Sequence, residues 1–189
     1  MIVLLNLGVI RAHGGDMPGA EQAYHDAERL ADVLGLVIPR AAALVNLSDL
    51  HRDGGDMEQA WGYANQAQTE ARRAGDARVA GAAALARALS AGVNVDALAI
   101  GAEALRQLEP LEDASLFIEA ASRLAHKALE RGERHWAVQL FTAARARAEL
   151  TGIARHRRSL DRLDNLLHQS APHLPAAPSE DAVVTAPGV

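Results

Sequence analysis

The chain contains no cysteine. A disulfide framework and thiolate metal sites are therefore excluded, and a reducing compartment, the cytoplasm, is the expected location. Aromatic residues make up only 3% of a chain that is 49% hydrophobic. The core must be built from Leu, Val, Ile and a great deal of Ala, which suits closely approaching helices. Lysine occurs once, at Lys127, and 19 Lys and Arg stand against 24 Asp and Glu, a net charge of −5. Such a chain lacks the basic surface that phosphate neutralisation needs, so no direct nucleic-acid partner is expected. No stretch approaches the roughly 20 apolar residues of a membrane helix, and no membrane partner is expected. The apolar start, Met1 to Leu5, has no basic residue before it, is broken by Asn6 and lacks a small-residue cleavage site, so it reads as a first helix and not as a leader.

What the chain does have is a repeat. Asn6-Leu7-Gly8 and Asn46-Leu47-Ser48 lie 40 residues apart, as do Gly14-Gly15-Asp16-Met17 and Gly54-Gly55-Asp56-Met57. Ala20 meets Ala60, Ala27 meets Ala67 and Gly35 meets Gly75 at the same offset. Self-similarity at one period marks units that cannot bury their apolar faces alone and must stack on their neighbours. The product is an extended surface and not a pocket, which points to binding more than to chemistry.

Within the first unit, Leu4, Leu7, Ile10 and Arg11 share a helical stripe that Gly14-Gly15 ends. Asp16 is placed to cap a second helix with Pro18 in its first turn, where a missing N–H costs nothing. Along that helix Ala20, Ala23, Tyr24, Ala27, Leu30, Ala31 and Leu34 follow the three-four spacing up to Gly35. The second unit repeats this with Leu44, Leu47 and Leu50, then Asp56 and Gln59 as a capping box, then Ala60, Tyr63, Ala64, Ala67 and Ala71 facing inward. A degraded third unit runs from Ala80 to Ala91 and, past a Gly92-Val93-Asn94 turn, from Asp96 to Leu108. A fourth spans Leu116 to Glu130 and Trp136 to Leu150, and Arg155 to Gln169 reads as a helix closing the stack. The predicted organisation is a helical repeat domain over 1–169. Four of the seven prolines fall after Ser170, and the Pro/Ala-rich tail over 170–189 is expected to be disordered.

These residues resemble the tetratricopeptide repeat, whose pattern runs large apolar, Leu-Gly, aromatic, Ala, aromatic, Ala, Pro. The first unit matches through Leu4, Leu7-Gly8, Ala20, Tyr24 and Ala27, and the second through Leu44, Leu47-Ser48, Ala60 and Ala67. Arg11 and His51 stand at the first aromatic place and Ala64 at the second, and the period exceeds the usual 34 residues. The longer period and the closing run Ala137 to Ala144, with Leu150-Thr151-Gly152 and an Arg-rich helix, look like the C-terminal repeats of LuxR-type and SARP-type bacterial signal-transduction ATPases. The resemblance implies an all-α, right-handed α-solenoid of about four helix pairs plus a C-terminal capping helix. Neither a phosphate-cradling Gly-Lys-Ser/Thr loop nor a helix-turn-helix is evident, so ATPase and DNA-binding activities are not carried over.

Residue chemistry points away from catalysis. No two of the eight histidines stand four apart and no His-Glu-x-x-His occurs, so no metal and no cofactor is expected. Ser48, Ser90, Ser115, Ser122 and Ser159 lack a Gly-x-Ser-x-Gly elbow, and Ser115, after Asp113, reads as a helix cap. The chain is expected not to be an enzyme. In the repeat family the first helix of each pair lines a concave groove where asparagines hold a peptide backbone. That resemblance implies a groove built from Asn6, Val9 and His13 of the first unit and Asn46, Asp49, Arg52 and Asp53 of the second, with Ala86 at the asparagine's place in the third. An amide both donates and accepts, so it pairs with a peptide unit of any sequence; the competing reading is an asparagine bonded to a neighbouring helix or to water. The basic cluster Arg155, Arg157, Arg158 and Arg162 reads first as a solvated face and second as a surface for an acidic partner. The expected role is a non-enzymatic scaffold for a protein or peptide partner, with a ligand-sensing domain of a bacterial transcription regulator as the alternative. A homo-oligomer is compatible with either.

Overall fold

A computed structural model describes residues 1–92, 95–112, 114–152 and 156–169. The tail over 170–189, Val93-Asn94 of the third turn, Asp113 and Arg155 lie outside the described residues. Among those described the protein is all-α: α1 (Ile2–His13), α2 (Met17–Val33), α3 (Val37–Asp53), α4 (Met57–Ala74), α5 (Ala77–Ser90), α6 (Ala97–Leu108), α7 (Ala114–Glu130), α8 (Arg134–Thr151) and α9 (Arg157–Gln169). Each helix packs on the next, and α1–α3, α3–α5 and α5–α7 also meet, so the odd-numbered helices adjoin one another along the row.

The repeat dictates the helix ends. Asp16, Asp56 and Asp96, 40 residues apart, are all N-caps. Their side chains accept the backbone N–H three residues on, from Gly19 at 2.9 Å, Gln59 at 3.0 Å and Ala99 at 2.9 Å. The Asp56–Gln59 pair differs from the expected box, since Gln59 Nε2 donates to Asp56 Oδ2 at 2.8 Å. Gly15 and Gly55, with φ of +83° and +85°, supply the left-handed turn residue before these caps, which a side chain would strain. Ser115 lies at the beginning of α7 as its second residue and is buried there, so it is not itself the residue preceding the helix.

Small residues set the interhelical distance. Ala20, Ala60, Ala27 and Ala67 are fully buried. A Cβ on Gly8 would lie 2.3 Å from the Tyr24 ring, so α1 and α2 are seated with the ring against bare backbone. The second unit solves the same contact the other way. Ser48 takes the place of Gly8 and Ala64 that of Tyr24, and the Ser48 hydroxyl donates to the Ala60 carbonyl at 2.8 Å. Two apolar clusters result, one centred on α2 to α5 and one on α5 to α9. Helix α5 belongs to both, with Val79 and Ala83 in the first and Ala84, Leu85 and Ala88 in the second.

Three expected core positions are not in the core. Ile10, Leu30 and Leu34 are exposed. Leu34 is also the C-cap of α2 and not part of it. A polar tie holds the first two pairs together: Arg40 of α3 reaches Glu28 Oε1 at 3.0 Å, Asp32 Oδ1 at 2.9 Å and Glu70 Oε1 at 3.5 Å. Its hydrogen bond to Glu28 and the surrounding carboxylates raise the guanidinium above its ordinary value despite partial desolvation.

Candidate functional site: the face of α3, α5 and α7

Four residues of the expected groove, Asn46, Asp49, Arg52 and Asp53, lie on or near one polar constellation. Asp49 of α3 accepts from Arg123 of α7, 74 residues away, through Nη2 at 2.8 Å and Nη1 at 3.3 Å. Arg52 also bonds Asp49, and its Nη2 reaches Asp53 at 2.7 Å. Asn46 sits half-buried one turn before Asp49. Glu119 completes the set 3.9 Å from Arg123. A bidentate arginine–carboxylate pair is both directional and strong. Here it joins the second and fourth units past α5, which touches both α3 and α7.

Burial alone would push the Asp49 carboxyl up, but the Arg123 and Arg52 guanidiniums outweigh it and hold the carboxyl below its usual range. Burial also pushes the Tyr24 phenol up, and the Asp49 charge adds to that shift. Asp49 is thus a committed ion-pair partner, whereas Asn46 is the more available polar group on this face. Asn6 and Val9 are more exposed than Asn46 and Asp49, and His13 is exposed like its counterpart Asp53.

Arg123 is the residue the sequence reading missed, and the register contained it. Glu133, Ala137 and Gly152 stand 117 residues after Asp16, Ala20 and Gly35, and Arg123 stands the same distance after Asn6. The fourth unit therefore carries arginine where the first two carry asparagine and the third carries the buried Ala86. The three-residue slip from a strict 40-residue period hid the correspondence.

Other polar groups form separate sets. His51 stacks on Tyr63 with ring centroids 5.2 Å apart, His25 meets the same ring edge-on, and His51 Nε2 lies 3.4 Å from Glu21. No group of three or more His, Asp or Glu side chains is gathered as a metal ion would require, among the described residues. Of the basic cluster, Arg157, Arg158 and Arg162 are exposed on α9. Arg157 lines a cleft of about 480 Å³ between α8 and α9 together with Glu149, Asp161 and Asp164, so acids interleave the arginines. A second cleft of about 400 Å³ between α4, α5 and α6 is lined by Gln68, Arg72, Arg87, Ile100 and Glu103. Arg87 is fixed there by its bond to Asn65 Oδ1 at 2.9 Å and by the Trp61 ring at 5.4 Å.

No protein-family model matches the chain, and no curated protein is significantly similar to it. Among the described residues, no helix is long and apolar enough to cross a membrane.

Proposed function

We propose that the chain is a tetratricopeptide-like α-solenoid, four helix pairs closed by α9, that serves as a non-enzymatic interaction module. Its odd-numbered helices line the concave face, and an extended peptide or protein segment lies along α3, α5 and α7. The observation that carries this reading is the Asp49–Arg123 pair, which puts groove-side positions of the second and fourth units within hydrogen-bond distance. Asn46 offers a donor and an acceptor to a peptide backbone. Arg123, about a quarter exposed, keeps guanidinium donors beyond those bound to Asp49 and can meet a partner's carboxylate. Selection of extended peptides from a random library, followed by titration against Asn46→Ala, tests it. One or two lost hydrogen bonds at roughly 0.5–1.5 kcal/mol each weaken binding by about two- to a hundredfold. Selected peptides that bind Asn46→Ala and Arg123→Ala as tightly as the unaltered chain remove this face from the reading.

The second reading, a ligand-sensing repeat domain of a bacterial regulator, is favoured by the α4–α5–α6 cleft. Arg87 is lowered there, first by desolvation and then by its neighbour Arg72, in a cleft that Glu103 also lines. The buried Gln68 Oε1 has no hydrogen-bond partner. A thermal-shift screen of small organic acids that stabilises the unaltered chain but not Arg87→Met would favour sensing; no shift with any of them would dismiss it.

A further inference from the structure

The third unit departs from the repeat at one of its most regular places. Leu7 and Leu47 stand 40 residues apart, and the same step leads to Arg87. Leu47 is fully buried, so the register expects an apolar side chain at that place and finds a cation. The fold accommodates it by holding it. Arg87 Nε donates to Asn65 Oδ1 at 2.9 Å, and the Trp61 ring centre lies 5.4 Å from the guanidinium carbon. These contacts fix the guanidinium plane and leave its two terminal nitrogens, the fork that grips a carboxylate, unpaired. Neither Arg87 nor Arg72 forms an ion pair among the described residues. Arg40, Arg52 and Arg123, by contrast, each hold a carboxylate. A place where the local rule fails with no gain in packing is a candidate functional position.

The neighbouring junction shows what has been removed. Between the first and second units Arg40 fills the space and binds Glu28 and Asp32. At the 40-residue step those three places carry Ala80, Gln68 and Arg72. The central cation has become a methyl group, one acid an amide and the other a base. Ala84 likewise stands where Leu44 does. Both alanines line the α4–α5–α6 cleft of about 400 Å³, within the size range of a small-ligand site. Its walls hold acceptors with nothing to accept. Gln68, 7% exposed, has a buried Oε1 without a hydrogen-bond partner. Gln107, on α6, is in the same state. Its Nε2 donates to Glu103 Oε1 at 2.7 Å, which orients the amide and leaves its buried Oε1 without a donor. An unmet buried acceptor costs free energy that a ligand's N–H recovers. A plain anion would satisfy the arginines and leave the amides unmet. A plain amine would do the reverse and face two cations.

We propose that this cleft binds a small amino acid in its zwitterionic form, with the carboxylate on Arg87 and Arg72 and the ammonium on Gln68, Gln107 and Glu103. An ammonium carries three donors, and these side chains supply three acceptor groups. Ala80, Ala84 and Ile100 leave an apolar surface for the rest of the molecule. The inference rests on the ligand-sensing reading and adds the chemical class of the ligand. Calorimetric titration of the whole chain tests it. The probes are α- and ω-amino acids, the matching carboxylates without the amine, and the matching amines without the carboxylate. An amino acid is expected to bind at least about tenfold more tightly than either single-ended analogue. Arg87→Met should weaken that binding by about ten- to a hundredfold, and Arg87→Lys, which keeps the charge without the fork, by less. Gln107→Leu should weaken it by about two- to tenfold and narrow the preference over the plain carboxylate. Arg157→Met, in the α8–α9 cleft, should leave it unchanged, and circular dichroism checks that each variant keeps its helices. Plain carboxylates that bind as tightly as amino acids, still through Arg87, overturn this inference and leave the sensing reading standing. Binding by none of the probes overturns both. Amino-acid binding that survives Arg87→Met and Gln107→Leu unchanged lies elsewhere and overturns the assignment.

Discussion

Substituting Gly8 by alanine isolates what the small residues of this fold do. In an exposed helix interior the change stabilises by about 0.5–1 kcal/mol, because alanine loses less backbone freedom on folding. At Gly8 the added methyl carbon would stand 2.3 Å from Tyr24 Cε1, 2.6 Å from Cδ1 and 2.8 Å from Cζ. All three distances are far inside van der Waals contact, and the Tyr24 ring is buried and cannot swing into solvent. Overpacking of this kind costs about 1–3 kcal/mol, so the net result is a loss of roughly 0.5–2 kcal/mol. Gly62, inside α4, meets nothing within 4 Å, and Gly62→Ala there is expected to gain the full propensity term. For a chain of this size about 1 kcal/mol moves Tm by about 2–4 °C, so thermal unfolding separates the two variants in opposite directions. Stacked repeats open locally from their ends, and hydrogen exchange in α1 and α2 should accelerate in Gly8→Ala more than in α7. The second unit supplies the rescue, since Ser48 pairs with Ala64 where Gly8 pairs with Tyr24. Gly8→Ser combined with Tyr24→Ala should be less damaging than the sum of the singles by about 0.5–3 kcal/mol. Equal Tm changes of the same sign in Gly8→Ala and Gly62→Ala would refute the close-approach argument.

Removing the guanidinium in Arg123→Met leaves Asp49 with Arg52 alone; the pair is about three-quarters buried, so a loss of about 1–3 kcal/mol is expected by denaturant unfolding. The Asp49 carboxyl is lower in the folded than in the unfolded chain, so its stabilisation is complete above the unfolded pKa near 3.9 and disappears as pH falls through the folded value. The stability difference between the unaltered chain and Asp49→Asn should therefore shrink below about pH 4. Asp16→Ala and Asp56→Ala each remove a capping acceptor and should cost about 0.5–2 kcal/mol, measured by thermal unfolding. Leu163→Ala, at a fully buried position of α9, should cost about 2–5 kcal/mol and raise hydrogen exchange at the α8–α9 end first.

Local rules carried most of the helix pattern. Asp16 and Asp56 were readable as caps, and Asp96 as a helix start, because a cap is a contact between residues three apart. The alanine positions were readable for a related reason, since buried faces recur every three or four residues. Periodicity is silent about which faces find a neighbour. Ile10, Leu30 and Leu34 obey the spacing and are still exposed. The polar constellation was half legible. Asn46, Asp49, Arg52 and Asp53 fall within three turns of one helix, whereas Arg123 comes from 74 residues away and depends on how three units are stacked. No local pattern encodes that distance. Only the unit-to-unit register does, and it slips by three residues before the fourth unit.

The claim that the α3, α5 and α7 face receives an extended partner is tested most directly by photo-cross-linking. A library-selected peptide with a photoreactive side chain at each position in turn is irradiated with the whole chain, and the modified residues are mapped by mass spectrometry. The account predicts adducts concentrated around Asn46, Asp49 and Arg123 and lost on competition with unlabelled peptide. Adducts concentrated on the even-numbered helices or on α9, with α3 and α7 unmodified, would contradict it.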